Sequence, residues 1–250
     1  MRTSKDPGQP HQQSLNKASN STQSLRQNAT PQTLSLPRWS TILSLMSQSL
    51  DSSKASVTEI AQITANPFAV LVSTIISLRT KDQVTFARSQ ALLEKAPSPN
   101  HLLNLTTEEI ADLIYPCGFY RVKAKQLNAI ARILVDTYQD LVPNTWEGLL
   151  ALPGVGRKTA GLVLGLGFGI PAICVDIHVH RIANRLGLID THNPDQTELA
   201  LMEQVPQELW IQLNDTMVRF GQQICTPQSP HCSRCPLLET CQKVGVQKSR

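Results

Sequence analysis

The sequence predicts an all-helical protein. From Trp39 onward, apolar residues recur every three or four positions, the spacing of one face of an α-helix. No segment shows the apolar–polar alternation of a half-buried strand or the signals of a β-hairpin. Short turns containing proline or glycine separate the apolar segments, so we expect a series of helices joined by tight turns.

Two of the predicted helices begin with recognisable capping signals. Asn66 precedes Pro67, which suits an N-cap followed by proline in the first helical turn. Thr106 and Glu109 have the spacing of a capping box, in which side chain and backbone at a helix start bond each other reciprocally. The predicted helices cover residues 68–78, 106–114, 122–138, 145–150, 157–167, 176–186 and 207–220.

Residues 1–37 are rich in Ser, Gln, Asn and Thr and poor in apolar residues. Such a segment cannot bury enough surface to offset chain entropy, so we expect a disordered tail. The Ser-rich, acid-poor composition fits an organelle transit peptide and equally an unstructured bacterial extension. The tail lacks the apolar run of a secretory signal, which favours a reducing compartment in which clustered thiols bind metal.

The charged residues of the chain are segregated. The formal net charge of +4 arises in the tail, which leaves 18 basic and 18 acidic residues from Trp39 to Arg250. Basic residues cluster between Arg121 and Arg185, whereas the charged residues at positions 187–217 are all acidic. A neutral body with segregated charges can bind DNA, although a charge run is more often a solvated face. The longest apolar stretch is shorter than a membrane span, so no membrane association is expected.

Residues 149–160 join two predicted helices by a very tight turn. Its two glycines allow positive φ and the close approach of another backbone. The amides of the turn and of the next helix's first turn then point outward without partners and form an anion site. An ordinary helix-to-helix turn is the simpler explanation of a lone Gly-x-Gly, but the preceding proline and the following Arg-Lys pair favour a DNA phosphate. The predicted DNA contacts are Gly154, Val155, Gly156 and Arg157.

Lys158 directly follows this turn, in the first turn of the next predicted helix. The positive end of the helix dipole disfavours an ammonium there and helps to supply the neutral amine that a nucleophile needs. Taken alone, Lys158 is more simply interpreted as an inert surface lysine. Asp176 begins a later predicted helix, where it suits an N-cap. A carboxylate held near the lysine could take up the amine's proton and stabilise a positively charged, sugar-like transition state.

Four cysteines near the C-terminus supply four soft ligands within a short segment. Four thiolates suit either zinc or a four-iron cluster. Zinc sites usually show two C-x-x-C pairs. This sequence has one pair flanked by single cysteines at longer intervals, which favours iron–sulfur over zinc. Both metals remain open at this point. The metal ligands are predicted to be Cys225, Cys232, Cys235 and Cys241.

The remaining cysteines and one pair of histidines have simpler interpretations. Cys117 and Cys174 lie in apolar surroundings and are predicted to be small core residues. His178 and His180 are two positions apart, so they do not share a helical face as metal ligands would. We expect at most one of them, His178, to contact a DNA phosphate or to position another group.

Together these features resemble the endonuclease III family of DNA glycosylase/lyases, within the helix-hairpin-helix glycosylase superfamily. The resemblance covers residues 38–241 and rests on three motifs in the family's order: the hairpin with Lys158, the Gly/Pro-rich loop that ends at Asp176, and the cysteine cluster. Three shorter stretches are also similar to this family, at residues 80–85, 113–116 and 220–223.

The resemblance implies a two-lobed helix-hairpin-helix fold. One lobe would be a six-helix barrel over residues 60–170. The other would combine residues 38–59 with residues 171–250 and carry a 4Fe-4S cluster. The partner would be double-stranded DNA with damaged pyrimidines or abasic sites, held in the cleft between the lobes by a protein that acts as a monomer.

The resemblance also implies a bifunctional reaction. The target base, an oxidised pyrimidine, would be flipped out of the stack. Lys158 would attack C1′ of its sugar, expel the base and leave a Schiff base, and β-elimination would then nick the strand on the 3′ side. Asp176 would assist the attack and stabilise the charge.

One position departs from the family's pattern. The family often carries glutamine in its first DNA-inserting loop, whereas this sequence has Arg79. Arg79 could fill the gap left by the flipped base and contact the orphaned partner base, and the change leaves the opposite-base preference open. Phe119 falls at the second inserting position, where core packing is the simpler interpretation.

Two other functions compete with this interpretation. An adenine glycosylase of the same superfamily usually lacks the nucleophilic lysine and adds a C-terminal recognition domain, so the presence of Lys158 speaks against it. A non-catalytic DNA-binding or redox module would use the hairpin and the cluster but gives no reason for Lys158 and Asp176 together. We expect a bacterial cytoplasmic enzyme, with organelle targeting by the tail left open.

Overall fold

The computed structural model describes residues 36–250 of the chain, with side chains from Trp39 onward. Residues 1–35 lie outside the described part of the chain, and so does the prediction of a disordered tail that concerns them. Within residues 36–250, no helix is both long enough and apolar enough to span a membrane.

Every regular element of the described part of the chain is helical, which confirms the all-helical prediction. A π-helical turn follows α9 at Val163–Gly167, and 3-10 turns lie at Gln207–Leu209 and Cys232–Arg234. The α-helices are α1 (Leu36–Gln48), α2 (Ser56–Thr64), α3 (Pro67–Ser77), α4 (Asp82–Lys95), α5 (Pro99–Leu103), α6 (Thr107–Ile114), α7 (Tyr120–Tyr138), α8 (Trp146–Leu150), α9 (Arg157–Leu162), α10 (Ile177–Leu186), α11 (Pro194–Gln204) and α12 (Trp210–Gln223).

Both predicted capping signals are confirmed. The side-chain oxygen of Asn66 accepts a hydrogen bond from the backbone N–H of Phe68 at 2.9 Å. At the start of α6, Thr106 and Glu109 form the complete capping box, because each side chain accepts the other residue's backbone N–H. These local bonds depend on residues at most three positions apart, which explains why sequence alone could predict them.

Five helices were absent from the predicted series: α1, α2, α4, α5 and α11. Two of them carried the signal used for α3, because Ser98 and Asn193 cap α5 and α11 directly before a proline. Few residues of α4 and α11 are buried, and several of those are polar, as Thr85 and Glu198 are. An apolar periodicity cannot identify a helix whose buried face is partly polar.

The apolar side chains of residues 39–250 gather into two clusters. The first is built mainly from α2 to α9 and includes Leu71 and Leu127. The second joins α1 to α10, α11 and α12 and includes Trp39 and Phe220. The chain passes from the first cluster to the second between Ala172 and Ile173. That the clusters are the cores of two lobes with the predicted boundaries stays a prediction.

This division predicts a localised response to mutation of α1. Trp39 is 0% exposed in the second cluster, and truncating a buried aromatic costs about 3–5 kcal/mol. We expect Trp39→Ala to lower amide hydrogen-exchange protection around Ile182 and Leu213 far more than around Leu127. Leu71→Ala, in the first cluster, should produce the opposite pattern. Equal loss of protection across both clusters in either variant would contradict two lobes.

Candidate active site

Lys158 and Asp176 face each other although 18 positions separate them in the chain. The Nζ atom of Lys158 lies 3.5 Å from Oδ2 of Asp176. The other carboxylate oxygen, Oδ1, caps α10 by accepting the backbone N–H groups of His178 at 2.8 Å and Val179 at 2.9 Å. The side chain of Asp176 is 7% exposed and that of Lys158 is 42% exposed. The site thus pairs a fixed, buried carboxylate with an amine that solvent and substrate can reach.

Packing around Gly161 brings these two residues together. A Cβ at this position of α9 would lie only 3.3 Å from the carbonyl oxygen of Ile173, so the absence of a side chain lets the segment before Asp176 lie against the helix. On that segment, Cys174 donates its thiol to the carbonyl of Lys158 at 3.4 Å. Asn214 of α12 donates to the carbonyl of Cys174 at 2.9 Å. Sequence reasoning missed Gly161 and Asn214, because their partners come from distant parts of the chain.

The hairpin before Lys158 has the tight geometry that its sequence predicted, with one difference. Gly154 has a φ of +70°, whereas Gly156 is extended, with φ −97° and ψ 178°. Gly156 is the N-cap of α9, and a Cβ there would meet open space. Val155 is buried in the first cluster and its backbone N–H donates to the carbonyl of Leu152 at 3.1 Å, so the exposed backbone of the hairpin is that of Gly154 and Gly156. Gln126 of α7 supports the turn by donating to the carbonyl of Pro153 at 3.0 Å.

Arg157, a predicted DNA contact, is held by the protein itself. Its guanidinium pairs with both carboxylate oxygens of Glu198 from α11, with the Nε–Oε2 distance at 3.2 Å. The same group lies over the ring of Trp146, with its Cζ atom 4.9 Å from the ring centroid. The side chain of Glu198 is 8% exposed. Sequence reasoning missed Glu198, which belongs to a run of acids that resembles a solvated face.

Arg79 and Phe119, from two different loops, are brought into contact. Both residues have positive φ, 54° and 59° respectively. The Cζ atom of Arg79 lies 5.3 Å from the centroid of the Phe119 ring. Phe119 is 60% exposed, so core packing is the wrong interpretation of this residue.

The two histidines of α10 turn toward different neighbours, as their spacing predicted. His178 is half-buried against α12, and its Nδ1 atom lies 3.0 Å from Nη2 of Arg181. Burial lowers the pKa of His178, which favours its neutral form. The Nδ1 atom of His180 lies 2.7 Å from the hydroxyl of Thr197 on α11.

The six cysteines fall into two groups, of which the predicted core pair is confirmed. Cys117 and Cys174 are each 2% exposed, as core residues are. The other four line one pocket, together with apolar side chains such as Ile182 and Phe220 and the basic residues Arg185 and Lys243. Within residues 36–250, no group of three or more His, Cys, Asp or Glu side chains is arranged to hold a metal ion directly. The four cysteines that share the pocket are Cys225, Cys232, Cys235 and Cys241.

Two arginines of α10 hold the cysteine-bearing loop, and sequence reasoning missed their role. Arg181 donates to the carbonyl of Cys225 at 2.9 Å. Arg185 donates to the carbonyls of Thr226 and Pro227, both at 2.7 Å, and its Nη1 atom lies 3.5 Å from Sγ of Cys225. The helix that Asp176 caps therefore also carries the loop of the candidate metal ligands.

Comparison with known proteins agrees with this architecture. Residues 72–207 match a family model described as HhH-GPD superfamily base excision DNA repair protein. An endonuclease III of Thermotoga maritima is 48% identical over 177 residues, which cover 71% of this chain and 83% of that protein. The chloroplastic endonuclease III homolog 2 of Arabidopsis thaliana is 40% identical over 183 residues, which cover 70% of this chain and 47% of the longer plant protein.

A solved structure supports the same assignment. The trapped covalent intermediate of an endonuclease III with DNA, an estranged-adenine complex, matches with a TM-score of 0.71 and 32% identity over 84% of this chain and 97% of that one. Fold and family model together define the class of protein, a helix-hairpin-helix base excision DNA repair glycosylase. Within that class the chain belongs to the endonuclease III family, whose members are DNA glycosylases with AP lyase activity.

The pairing of Arg157 with Glu198 predicts non-additive effects on stability. Arg157→Met leaves the buried carboxylate of Glu198 without its partner, which we expect to lower the free energy of unfolding by about 1–3 kcal/mol. Adding Glu198→Gln removes the unpaired charge and should recover part of that loss. Urea denaturation of the two single variants and the double variant measures the coupling. Additive losses would show that the ion pair contributes nothing.

Proposed function

We propose that the enzyme removes oxidised pyrimidines from double-stranded DNA and then cleaves the strand at the abasic site, with Lys158 as the nucleophile. The observation that carries this proposal is the 3.5 Å separation between Lys158 Nζ and Asp176 Oδ2. A lysine acts as a nucleophile only as the neutral amine, so it needs a nearby base. We infer that Asp176 is that base, because one of its oxygens is fixed by α10 and the other is turned toward the amine.

The proposed chemistry has two stages. The Lys158 amine loses a proton toward Asp176 and forms a bond to C1′ while the bond from C1′ to the base breaks, and the base leaves with the electron pair. Ring opening gives a Schiff base between the lysine and C1′. Loss of a C2′ proton then drives cleavage of the C3′–O bond, which releases the 3′ segment with its 5′ phosphate. The buried carboxylate stabilises the positive charge that develops on the sugar.

We assign the remaining predicted DNA contacts to groups that flank Lys158 and Asp176 in the chain. The exposed backbone of Gly154 and Gly156, beside the buried Val155, presents the amides of the hairpin and of the α9 start to a phosphate. Arg157 reaches a phosphate only by sharing or leaving its bond to Glu198. His178 is held beside Asp176 by Arg181, so we assign it a positioning role more readily than a phosphate contact.

Arg79 and Phe119 are the two residues that would enter the DNA when a base is flipped. Phe119 presents an exposed aromatic ring for stacking, and the guanidinium of Arg79 carries donors for the orphaned base. The opposite-base preference then depends on which base edge offers acceptors to Arg79. We propose that one copy of the chain performs this reaction.

We also propose that the four cysteines hold a 4Fe-4S cluster. The donors fit, because four soft sulfur atoms surround one pocket and the other lining is mostly apolar. The side chains of Arg185 and Lys243 supply positive charge that suits a cluster with four thiolates. When bound, such a cluster would fold the terminal loop around itself and leave the reaction at Lys158 to the protein's own residues. For cellular location we propose the bacterial cytoplasm.

The lysine chemistry predicts a covalent cross-link. Wild-type protein mixed with a thymine-glycol duplex and borohydride should form a reduced, covalent protein–DNA adduct, and Lys158→Ala should form none. Lys95→Ala is the matched control, because it removes an exposed lysine at the end of α4. A wild-type protein that gives no adduct with any oxidised pyrimidine would overturn the proposed reaction.

Asp176→Asn separates catalysis from helix capping. Asparagine keeps a side-chain oxygen that can cap α10, so the melting temperature should change little. Loss of the base should nevertheless slow adduct formation by about 100-fold or more. Wild-type rates in this variant would show that Asp176 serves only as a cap.

The cluster proposal is tested by metal content. The wild-type protein should be brown and contain about four iron atoms per chain, and Cys235→Ser should lose most of its iron and its visible absorbance. Cys117→Ser replaces a buried cysteine outside the pocket and should keep both. A colourless wild-type protein that contains zinc and no iron would refute the cluster.

A further inference from the structure

Lys123 is a buried lysine of α7 that the reaction at Lys158 does not use. It is 4% exposed, and its Nζ atom lies 2.7 Å from the carbonyl of Ile76, 2.6 Å from that of Leu78 and 3.0 Å from the hydroxyl of Thr80. Each of the three ammonium protons therefore has an acceptor. All three acceptors lie in the segment of the chain that carries Arg79.

The segment after α3 needs this partner because it must turn sharply. The last carbonyls of a helix have no partners within it, and Lys123 takes up the carbonyls of Ile76 and Leu78. Arg79 then adopts a φ of 54°, a left-handed conformation that is unfavourable for a residue with a side chain. The bonds from Lys123 hold the chain on both sides of this unfavourable residue.

A second set of contacts joins this segment to the loop that carries Phe119. The hydroxyl of Thr80, which accepts from Lys123, also accepts the backbone N–H of Gly118 at 3.2 Å. A Cβ at Gly118 would overlap the carbonyl oxygen of Arg79, so only glycine fits there. The backbone N–H of Lys123 donates to the carbonyl of Phe119 at 3.0 Å. Lys123 thus bonds one loop through its side chain and the other through its backbone.

The charge of Lys123 carries a desolvation cost at this buried position. Burial lowers the pKa of Lys123 to about 8, because the charged form loses its hydration. The thiol of Cys117 lies beside it, and burial raises the pKa of that thiol, so no thiolate compensates the ammonium at neutral pH. An apolar side chain of similar length would avoid the cost of burying a charge. The ammonium is retained here because it donates to three acceptors that an apolar side chain would leave unpaired.

We propose that Lys123 is a positioning residue that fixes Arg79 and Phe119 as one preassembled wedge, which enters the DNA as a unit. The proposal rests on the proposed function in one respect, that these two residues enter the duplex at the lesion. A wedge assembled before binding loses less conformational entropy on entering the DNA, which strengthens binding to the distorted site. The bonds from Lys123 to both segments keep the Arg79 guanidinium over the Phe119 ring.

The test uses a duplex in which a tetrahydrofuran abasic analogue faces 2-aminopurine. Entry of the wedge unstacks the orphaned 2-aminopurine and raises its fluorescence. Lys123→Met should remove most of this rise and reduce the preference for the analogue over an undamaged duplex about tenfold, the loss expected from one charge-assisted hydrogen bond. Binding to the undamaged duplex should change less than twofold, because phosphate contacts are unaffected.

Two further variants separate this role from a general loss of stability. Ile130→Val trims a buried side chain on the same helix, far from both loops, and should lower the melting temperature without changing the fluorescence. Thr80→Val keeps the volume but removes the hydroxyl that both Lys123 and Gly118 bond, and should reproduce part of the loss. A folded Lys123→Met protein with wild-type fluorescence and preference would overturn the proposal. If Lys123→Met does not fold, wild-type behaviour of Thr80→Val overturns it.

The assay also distinguishes this proposal from the lysine chemistry. Tetrahydrofuran has no hydroxyl at C1′ and cannot open to an aldehyde, so it forms no Schiff base, and the fluorescence rise does not require the reaction at Lys158. A wild-type protein that shows the rise but no borohydride adduct would refute the reaction at Lys158 and support the wedge. An adduct without any rise in the wild-type protein would refute the wedge.

Discussion

The carboxylate of Asp176 is the contact on which the rest of the site depends. One oxygen accepts two backbone N–H groups at the start of α10, and the other faces the Lys158 amine at 3.5 Å. A carboxylate has two acceptor oxygens, so Asp176 can cap α10 with one and contact the amine with the other. Capping holds the carboxylate in one position, which keeps its second oxygen directed at the amine.

Helix α10 connects this contact to the rest of the molecule. Asp176 caps its first turn, and Arg181 and Arg185 bind the loop of the candidate cluster ligands one and two turns later. Helix α9 carries Lys158 on the other side of this contact, and Arg157 of the same helix is paired with Glu198 of α11. Residues from both apolar clusters therefore set the distance between amine and carboxylate, and a cluster bound in the loop would support α10 from its far side.

Local signals predicted much of this arrangement. The capping residues Asn66 and Thr106, the hairpin and the cysteine spacing act within a few positions, so sequence carries them directly. The same signal is present at Asn193, which caps α11 directly before Pro194. The burial of Lys123 had no such signal, because in sequence it resembles any basic residue of an amphipathic helix.

Sequence by itself determined the chemical groups of this protein and their order along the chain. These are a hairpin followed by a lysine, a carboxylate at the start of a helix and four clustered thiols. It did not determine which distant groups meet. In the folded protein Arg157 pairs with Glu198, and Phe119 is exposed beside Arg79. Lys123 is buried and bonds both loops. These pairings join residues about 40 positions apart, and their distances follow from how helices pack around two apolar clusters, which no local spacing encodes.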